Sequence, residues 1–423
     1  MSFSIGFSQL RSLPLKKRRS NFVTNNKGQY YNNEKIPIKN HNTSNIFSKI
    51  DKNMSNLNIN INVINDIKNK NKKINEINEL IKIINDDTPD DDITEIVDDT
   101  VANTIADLDE MYKDKPYTRE KIYVIIKMLK LTVDTIENVY QQKYNNDDNA
   151  TGLGDFIRGS YFLMQFCKEY NMSYSINLRN HPISQFLDMY QNSKHINYKN
   201  VNYFEKTNHS PLVLDNNIIT NIYDNTINND FLYFLRKQQV FNKIMYVYTI
   251  TYPTIIIDQE HKEVMKKILK PTDKLSVLSN NILTNLNLCK HDYVIIHIRF
   301  GDNYLINSDD SDDAIDTTKL DIIIAELNKL DMTKQYLLIS DNTIIKKQIV
   351  DLFPFIKTHY SKITRIGEEV EFDVEELQNT MMDFCLLSHS TKIISFSVYN
   401  HGCGFSKWCA ETYNIPYTCQ YLK

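Results

Sequence analysis

An arginine that closes an apolar run is the sharpest chemical signal in the sequence. YVIIHIR, residues 293–299, is apolar except at His297 and Arg299, and FGDNY follows it. A guanidinium keeps its charge and can grip a phosphate through two parallel hydrogen bonds, or it can pair with a neighbouring aspartate. On a strand, His297 shares a face with Arg299, as a core residue or as a catalyst. A second apolar run, QYLLIS, ends directly in Asp341 and Asn342. A carboxylate there accepts the N–H groups of a base or holds ribose hydroxyls; equally, Asp and Asn cap a following helix. A third run, KIISFS, carries Ser395 and Ser397 and leads into VYNHGCGFSKW. There Gly402, Gly404 and Ser406 precede a predicted helix whose free N–H groups favour an anion, or they form a plain C-terminal turn.

A fourth stretch, GLGDFIRG, places three of the chain's nine glycines within eight positions. Gly152 and Gly154 can take positive φ and admit another molecule to the backbone, with a helix starting near Phe156. The stretch is neither a phosphate-binding P-loop, lacking Gly-Lys-Ser/Thr, nor a dinucleotide fingerprint, since Ile157 stands where a third glycine belongs.

These loops need elements to aim them. YTREKIYVIIKMLKLTVDTIENV reads as one long helix, from the spacing of Ile122, Ile125, Met128, Leu129, Val133 and Ile136. FIRGSYFLMQFCKEYN then reads as a helix, and MSYSINL and IMYVYTI as strands. Pro271 marks a hinge before the helix in DKLSVLSNNILTNL. Beyond it, YVIIHIR, QYLLIS, PFIKTHY and KIISFS alternate with the helices TTKLDIIIAELNKL, NTIIKKQIVDLF, VEELQNTMMDFCLLSHS and FSKWCAETYN. Such alternation predicts a parallel sheet covered on both faces, with ligands beyond the carboxyl ends of its strands. The expected organisation is an extension over residues 1–115, one α/β domain over 116–270 and a second over 271–423.

The extension is low in complexity and reads as disordered, apart from one amphipathic helix through Ile74, Ile77, Leu80, Ile81 and Ile84. Lys16, Lys17, Arg18 and Arg19 read as a solvated tail. The excess of Asn, Ile, Lys and Asp reads as AT-rich coding sequence. A net charge of −4 with both signs interspersed carries no nucleic-acid footprint. No apolar run is long enough for a signal peptide or membrane span, and the scattered cysteines show no metal-binding spacing, so a cytoplasmic protein with free thiols is expected. Asp90, Asp92, Asp107 and Asp109 mimic a metal-binding Asp-x-Asp but lie in the extension. Residues 309–313 (DDSDD) and the sequon at Asn149 read as solvated loops.

Taken in order, these motifs resemble the α-1,6/α-1,2/protein-O-fucosyltransferase superfamily, with motifs similar to those of nodulation-type fucosyltransferases. GLGDFIRGSYFLMQFCKEYNMSYSIN resembles its first motif, HIRFGD its His-x-Arg-x-Gly/Thr-Asp motif, LLISDN its third strand, and DFCLLSHSTKIISFS the helix–strand pair before its serine-rich loop. The resemblance covers roughly residues 138–415. It implies a GT-B-like α/β fold, two Rossmann-like domains facing a cleft, and inverting transfer from GDP-fucose or another nucleotide sugar to a glycan or protein hydroxyl. No metal and no separate cofactor are implied.

By the same resemblance, Arg299 would clamp the β-phosphate, and Asp341 or Asn342 would meet guanine. Ser395, Ser397, Gly404, Phe405 and Ser406 would hold the diphosphate. Gly152 and Gly154 would close over it, with Asp155 facing sugar or acceptor. Asp302 is a candidate general base, and Asp309 a weaker one. The sequence departs from the family in three places. Phe300 replaces a second basic residue, the final loop is long, and the strand expected before the glycine loop is only the polar run VYQQKY. A non-catalytic binding protein and a GT-B enzyme for another nucleotide sugar are the alternative readings.

Overall fold

The computed structural model describes residues 119–142, 151–194, 201–204, 225–300, 317–364, 366, 373–399 and 401–422. All lie in one compact unit. The helix expected around Ile74–Ile84, Lys16–Arg19, the Asp-x-Asp pairs, Asn149, Asp302, Asp309 and the rest of 309–313 fall outside the described residues.

The first sheet corrects the sequence reading. Helix α1, Arg119–Thr132, stops where Thr132 turns its hydroxyl back to the Leu129 carbonyl. TIENV is then strand β1, Thr135–Val139, and not the end of that helix. Ile136 and Val139 fit a helical count as well as a strand, and Glu137 and Asn138 disguise the strand. Both polar residues are buried and bonded across the sheet. Asn177 donates to Glu137 at 2.9 Å, while Asn138 donates to Ser160 at 3.1 Å and accepts from the Thr249 amide at 3.0 Å. The strand before the glycine loop is therefore TIENV, ahead of the VYQQKY run.

Helix α2, Leu153–Glu169, follows the glycine loop and starts three residues before Phe156. Strand β2 is Ser173–Asn177, β3 Asn202–Phe204, helix α3 Asn225–Leu235, and β4 Ile244–Thr249. The four strands run parallel in the order β2-β1-β4-β3. Gly159 lets α2 lie on the end of β4, since a Cβ there would sit 1.6 Å from the Thr249 carbonyl oxygen.

Helices α4, Gln259–Ile268, and α5, Asp273–Asn285, flank Pro271 and lead to the second sheet. It alternates β5 (Val294–Arg299), α6 (Thr317–Leu327), β6 (Tyr336–Ser340), α7 (Thr343–Leu352), β7 (Ile356–Thr358), α8 (Val374–Ser388), β8 (Lys392–Ser397), α9 (Gly404–Tyr413) and β9 (Tyr417–Tyr421). All five strands are parallel in the order β7-β6-β5-β8-β9, the Rossmann order, with its switch point between β5 and β8. Strand alternation sorts β5 cleanly. Val294, Ile296, Ile298 and Phe300 enter one core cluster, while Ile295 enters the other, on the face that His297 and Arg299 share. Phe300 thus serves the core behind the strand. The larger cluster runs through both halves, joining α2 to α8 and α9. Two Rossmann-like halves facing a cleft make this a GT-B-like α/β fold.

Candidate functional site

At the switch point a cleft of about 500 Å³ is lined by residues of both halves. The first half contributes Thr151, Gly152, Leu153, Gly154 and Asp155. The second contributes His297 and Arg299 from β5, Asp341 after β6, and Tyr399, His401, Gly402, Cys403, Gly404 and Phe405 after β8. The register aligns His297 with Ser395 and Arg299 with Ser397.

Arg299 pairs with Asp341 at 2.6 Å, the arginine partly exposed and the aspartate buried. Burial pushes the Asp341 carboxyl up, and the guanidinium opposes that push. The aspartate therefore holds Arg299 in place at the mouth of the cleft. His297 lies deeper. Burial lowers its pKa to about 4, so the imidazole is neutral at physiological pH. Its Nδ1 makes no hydrogen bond among the described residues, and its ring lies 6.4 Å from that of Phe405.

Two further ionisable groups sit behind this pair, and sequence reasoning missed both. Asp383 of α8 is buried yet lines the cleft, and Lys346 of α7 is buried beside it. Burial raises the Asp383 pKa and lowers that of Lys346; each opposes the shift of the other. The signal was available, because Asp383 is the one charge inside the apolar run MMDFCLL.

The glycines do something other than admit a ligand. Gly152 has an ordinary φ of −61°, and Gly154 lies inside α2. A Cβ on Gly154 would sit 2.2 Å from the Gly404 carbonyl carbon, so the two glycines let the N-termini of α2 and α9 abut. Neither helix has a side-chain cap: Gly152 precedes one and Cys403 the other. By contrast, α4, α5, α7 and α8 are capped by Asp258, Thr272, Asn342 and Asp373. Of the α-helices whose preceding residue is described, α2 and α9 are the two without a side-chain cap, and both open on the cleft, where their dipoles and N–H groups favour an anion. Asp155 lies against the start of α9, with Oδ1 3.5 Å from where a Gly404 Cβ would be. Arg158 holds it at 2.8 Å. Among the described glycines only Gly402 has positive φ, at 80°.

Of the residues expected at the site, Gly152, Gly154, Asp155, His297, Arg299, Asp341, Gly404 and Phe405 come together on the cleft wall. The side chain of Asn342 is engaged in capping α7 through the Ile345 amide. Ser395, Ser397 and Ser406 are fully buried beneath the wall, and Ser397 accepts the Tyr399 amide at 3.1 Å, shaping the loop from below. Among the described residues no His, Cys, Asp or Glu group is arranged to hold a metal ion, and no helix is long and apolar enough to cross a membrane.

No protein-family profile and no curated protein sequence matches the chain. Several solved structures are similar in outline. The fucosyltransferase NodZ from Bradyrhizobium aligns at a TM-score of 0.38 and 12% identity over 66% of this chain and 92% of that one. A FUT1 variant from Arabidopsis thaliana in complex with GDP gives 0.39 and 10% over 77% and 78%. POFUT1 in complex with GDP-fucose gives 0.31 and 9% over 69% and 99%.

Proposed function

We propose that the chain is a glycosyltransferase that moves fucose from GDP-fucose to a hydroxyl of a glycan or protein, with inversion. The observation that carries this reading is the pair of uncapped helix N-termini meeting beside Arg299. A sugar diphosphate leaves with growing negative charge, and fixed donors aimed at that charge are what lowers its barrier. Arg299 would grip the diphosphate, the N–H groups at Leu153, Gly154 and Gly404 would surround it, and Asp341 would keep the guanidinium aimed. These groups would carry the charge without a divalent cation.

The base would lie deeper. Guanine offers N1–H and N2–H donors on one edge, and a buried carboxylate is the acceptor that matches both. Asp383 fits that role better than Asp341, which is engaged with Arg299 at 2.6 Å. The acceptor oxygen would attack the anomeric carbon, and the bond to the β-phosphate oxygen would break with its electron pair leaving on GDP. The acceptor proton must go to a base. Asp155, whose side chain is 32% exposed, is the most exposed of the three carboxylates lining the cleft and would serve as that base.

Incubation with labelled GDP-fucose and an acceptor glycan panel tests this. Transfer with an inverted anomeric centre is expected; hydrolysis and transfer both absent, with GDP bound, would favour a second reading. That reading, a non-catalytic nucleotide-binding relative, draws on the internal pairing of the cleft arginine Arg299 with Asp341 and of the cleft carboxylate Asp155 with Arg158. A panel of UDP-, ADP- and GDP-sugars separates either from an enzyme for another donor.

A further inference from the structure

Behind one wall of the cleft lies a second groove. The segment after β7 divides the two: Ile363, Thr364 and Ile366 face the cleft, whereas His359, Tyr360, Ser361 and Lys362 face the groove. Three bonds fasten the segment to α8. Thr380 donates to the Thr364 carbonyl at 2.8 Å, the Thr364 amide donates back at 3.2 Å, and Asn379 donates to the Lys362 carbonyl at 2.9 Å. The groove measures about 710 Å³, and its other wall is α5.

Its lining is rich in groups that both give and take hydrogen bonds. Asn281 and Asn285, four residues apart on α5, share a face, opposite Gln378 and Asn379 of α8. Each primary amide offers two donors and an acceptor in a fixed plane, which suits hydroxyls that are themselves both donor and acceptor. His359 and Ser361 are among the residues lining the groove, and the Nε2 of the one and the Oγ of the other are buried without a hydrogen-bond partner among the described residues. Buried polar atoms left so are costly, and a turn of either side chain toward the groove would let a polar ligand satisfy them. Tyr360, 49% exposed, adds an aromatic surface at the rim.

Charge narrows the ligand. Asp373, Glu375 and Glu376 outweigh Lys362, so phosphate, sulfate or a second nucleotide is repelled. A lysine-rich peptide would use the carboxylates but not the amide donors. We propose that this groove is a binding site for a neutral oligosaccharide, held by the amides of α5 and α8 and by the unpartnered His359 and Ser361 atoms.

The test is calorimetry and saturation-transfer NMR on the full chain. Neutral tetrasaccharides of glucose, mannose, galactose and N-acetylglucosamine are compared with a lysine-rich hexapeptide. At least one tetrasaccharide should bind, and the exposed double variant Asn281→Ala/Asn285→Ala should bind it at least tenfold more weakly at an unchanged melting temperature. Ser361→Ala should weaken the same sugar. No tetrasaccharide binding, binding undiminished in both variants, or preference for the peptide overturns the proposal. The measurement involves no nucleotide, so it stands or falls apart from the transferase reading.

Discussion

The two sheets present different things at their carboxyl ends. In the first, Tyr140 stacks between Phe156 and His181, at 4.5 and 4.1 Å. The hydroxyls of Tyr140 and Tyr248 hold Thr151, at 2.6 Å to its carbonyl and 2.8 Å to its hydroxyl. This half thus fixes a backbone, the glycine loop and the start of α2, and lends the cleft little charge besides Asp155. In the second, ionisable side chains line the cleft: His297 and Arg299 on β5, Asp341 after β6, and Asp383 on the neighbouring helix α8. One half supplies shape and amide dipoles, the other supplies ionisable groups, and the glycine pair joins them. A diphosphate held without a metal needs both, because one arginine neutralises only part of its charge.

Glycine substitutions break this division most sharply. Gly159→Ala drives a methyl to within 1.6 Å of the Thr249 carbonyl oxygen, inside the first half. It should cost more than about 4 kcal/mol, read by chemical denaturation. Gly154→Ala places its methyl against Gly404, between the halves. It should cost about 1–3 kcal/mol and weaken GDP at least tenfold, as the two N-termini separate. A Gly154→Ala protein with full GDP affinity would show that the abutting helices are packing alone.

Asp383→Asn sharpens the other side. It should lower the preference for GDP over ADP and UDP by about 1–3 kcal/mol in competition binding, the range of a bidentate pairing to a base. Unchanged preference would move guanine recognition elsewhere.

Acid stability follows from buried histidines in both halves. Burial alone lowers His181 to about 3, and burial, only partly offset by Asp341, lowers His297 to about 4. An unfolded histidine titrates near 6.5, so below that pH the unfolded chain binds more protons and stability is lost as pH falls toward those values. Buried Asp341 and Asp383, raised instead, act with the opposite sign. His181→Gln should therefore lose about 2 kcal/mol less than the parent between pH 6.5 and 4.5, followed by urea melts.

The smallest effect belongs to a helix that is capped. Asn342→Ala should cost about 1 kcal/mol of stability and leave GDP affinity unchanged, since its side chain serves α7. A loss of affinity beyond threefold would return Asn342 to the nucleotide.

Much of the second half is legible in the sequence because a buried parallel strand reads as an unbroken apolar run; YVIIHIR, QYLLIS and KIISFS leave little choice. Strand β1 is hidden because its polar residues find partners 22 to 111 residues away, which no local pattern records. β9, YTCQY, is largely exposed on the sheet edge and lacks the apolar signal. At the site, types and strand-end positions were enough to gather Arg299, His297, Asp341 and the two glycine loops. What they could not convey is direction. A glycine that admits a ligand and one that admits another glycine look alike, as do an asparagine that caps and one that binds. The serines of β8 lie in the right register yet point under the wall.

The central claim is that Arg299 and the joined N-termini form a diphosphate site. Calorimetric titration of GDP into the wild-type chain and into Arg299→Ala, with chelator present, tests it most directly. The account predicts binding to the wild type and a loss of about 100-fold or more in the variant, the scale of removing one partner of a desolvated charge pair. Well-folded wild-type protein that ignores GDP, or a variant that binds it equally well, would contradict it.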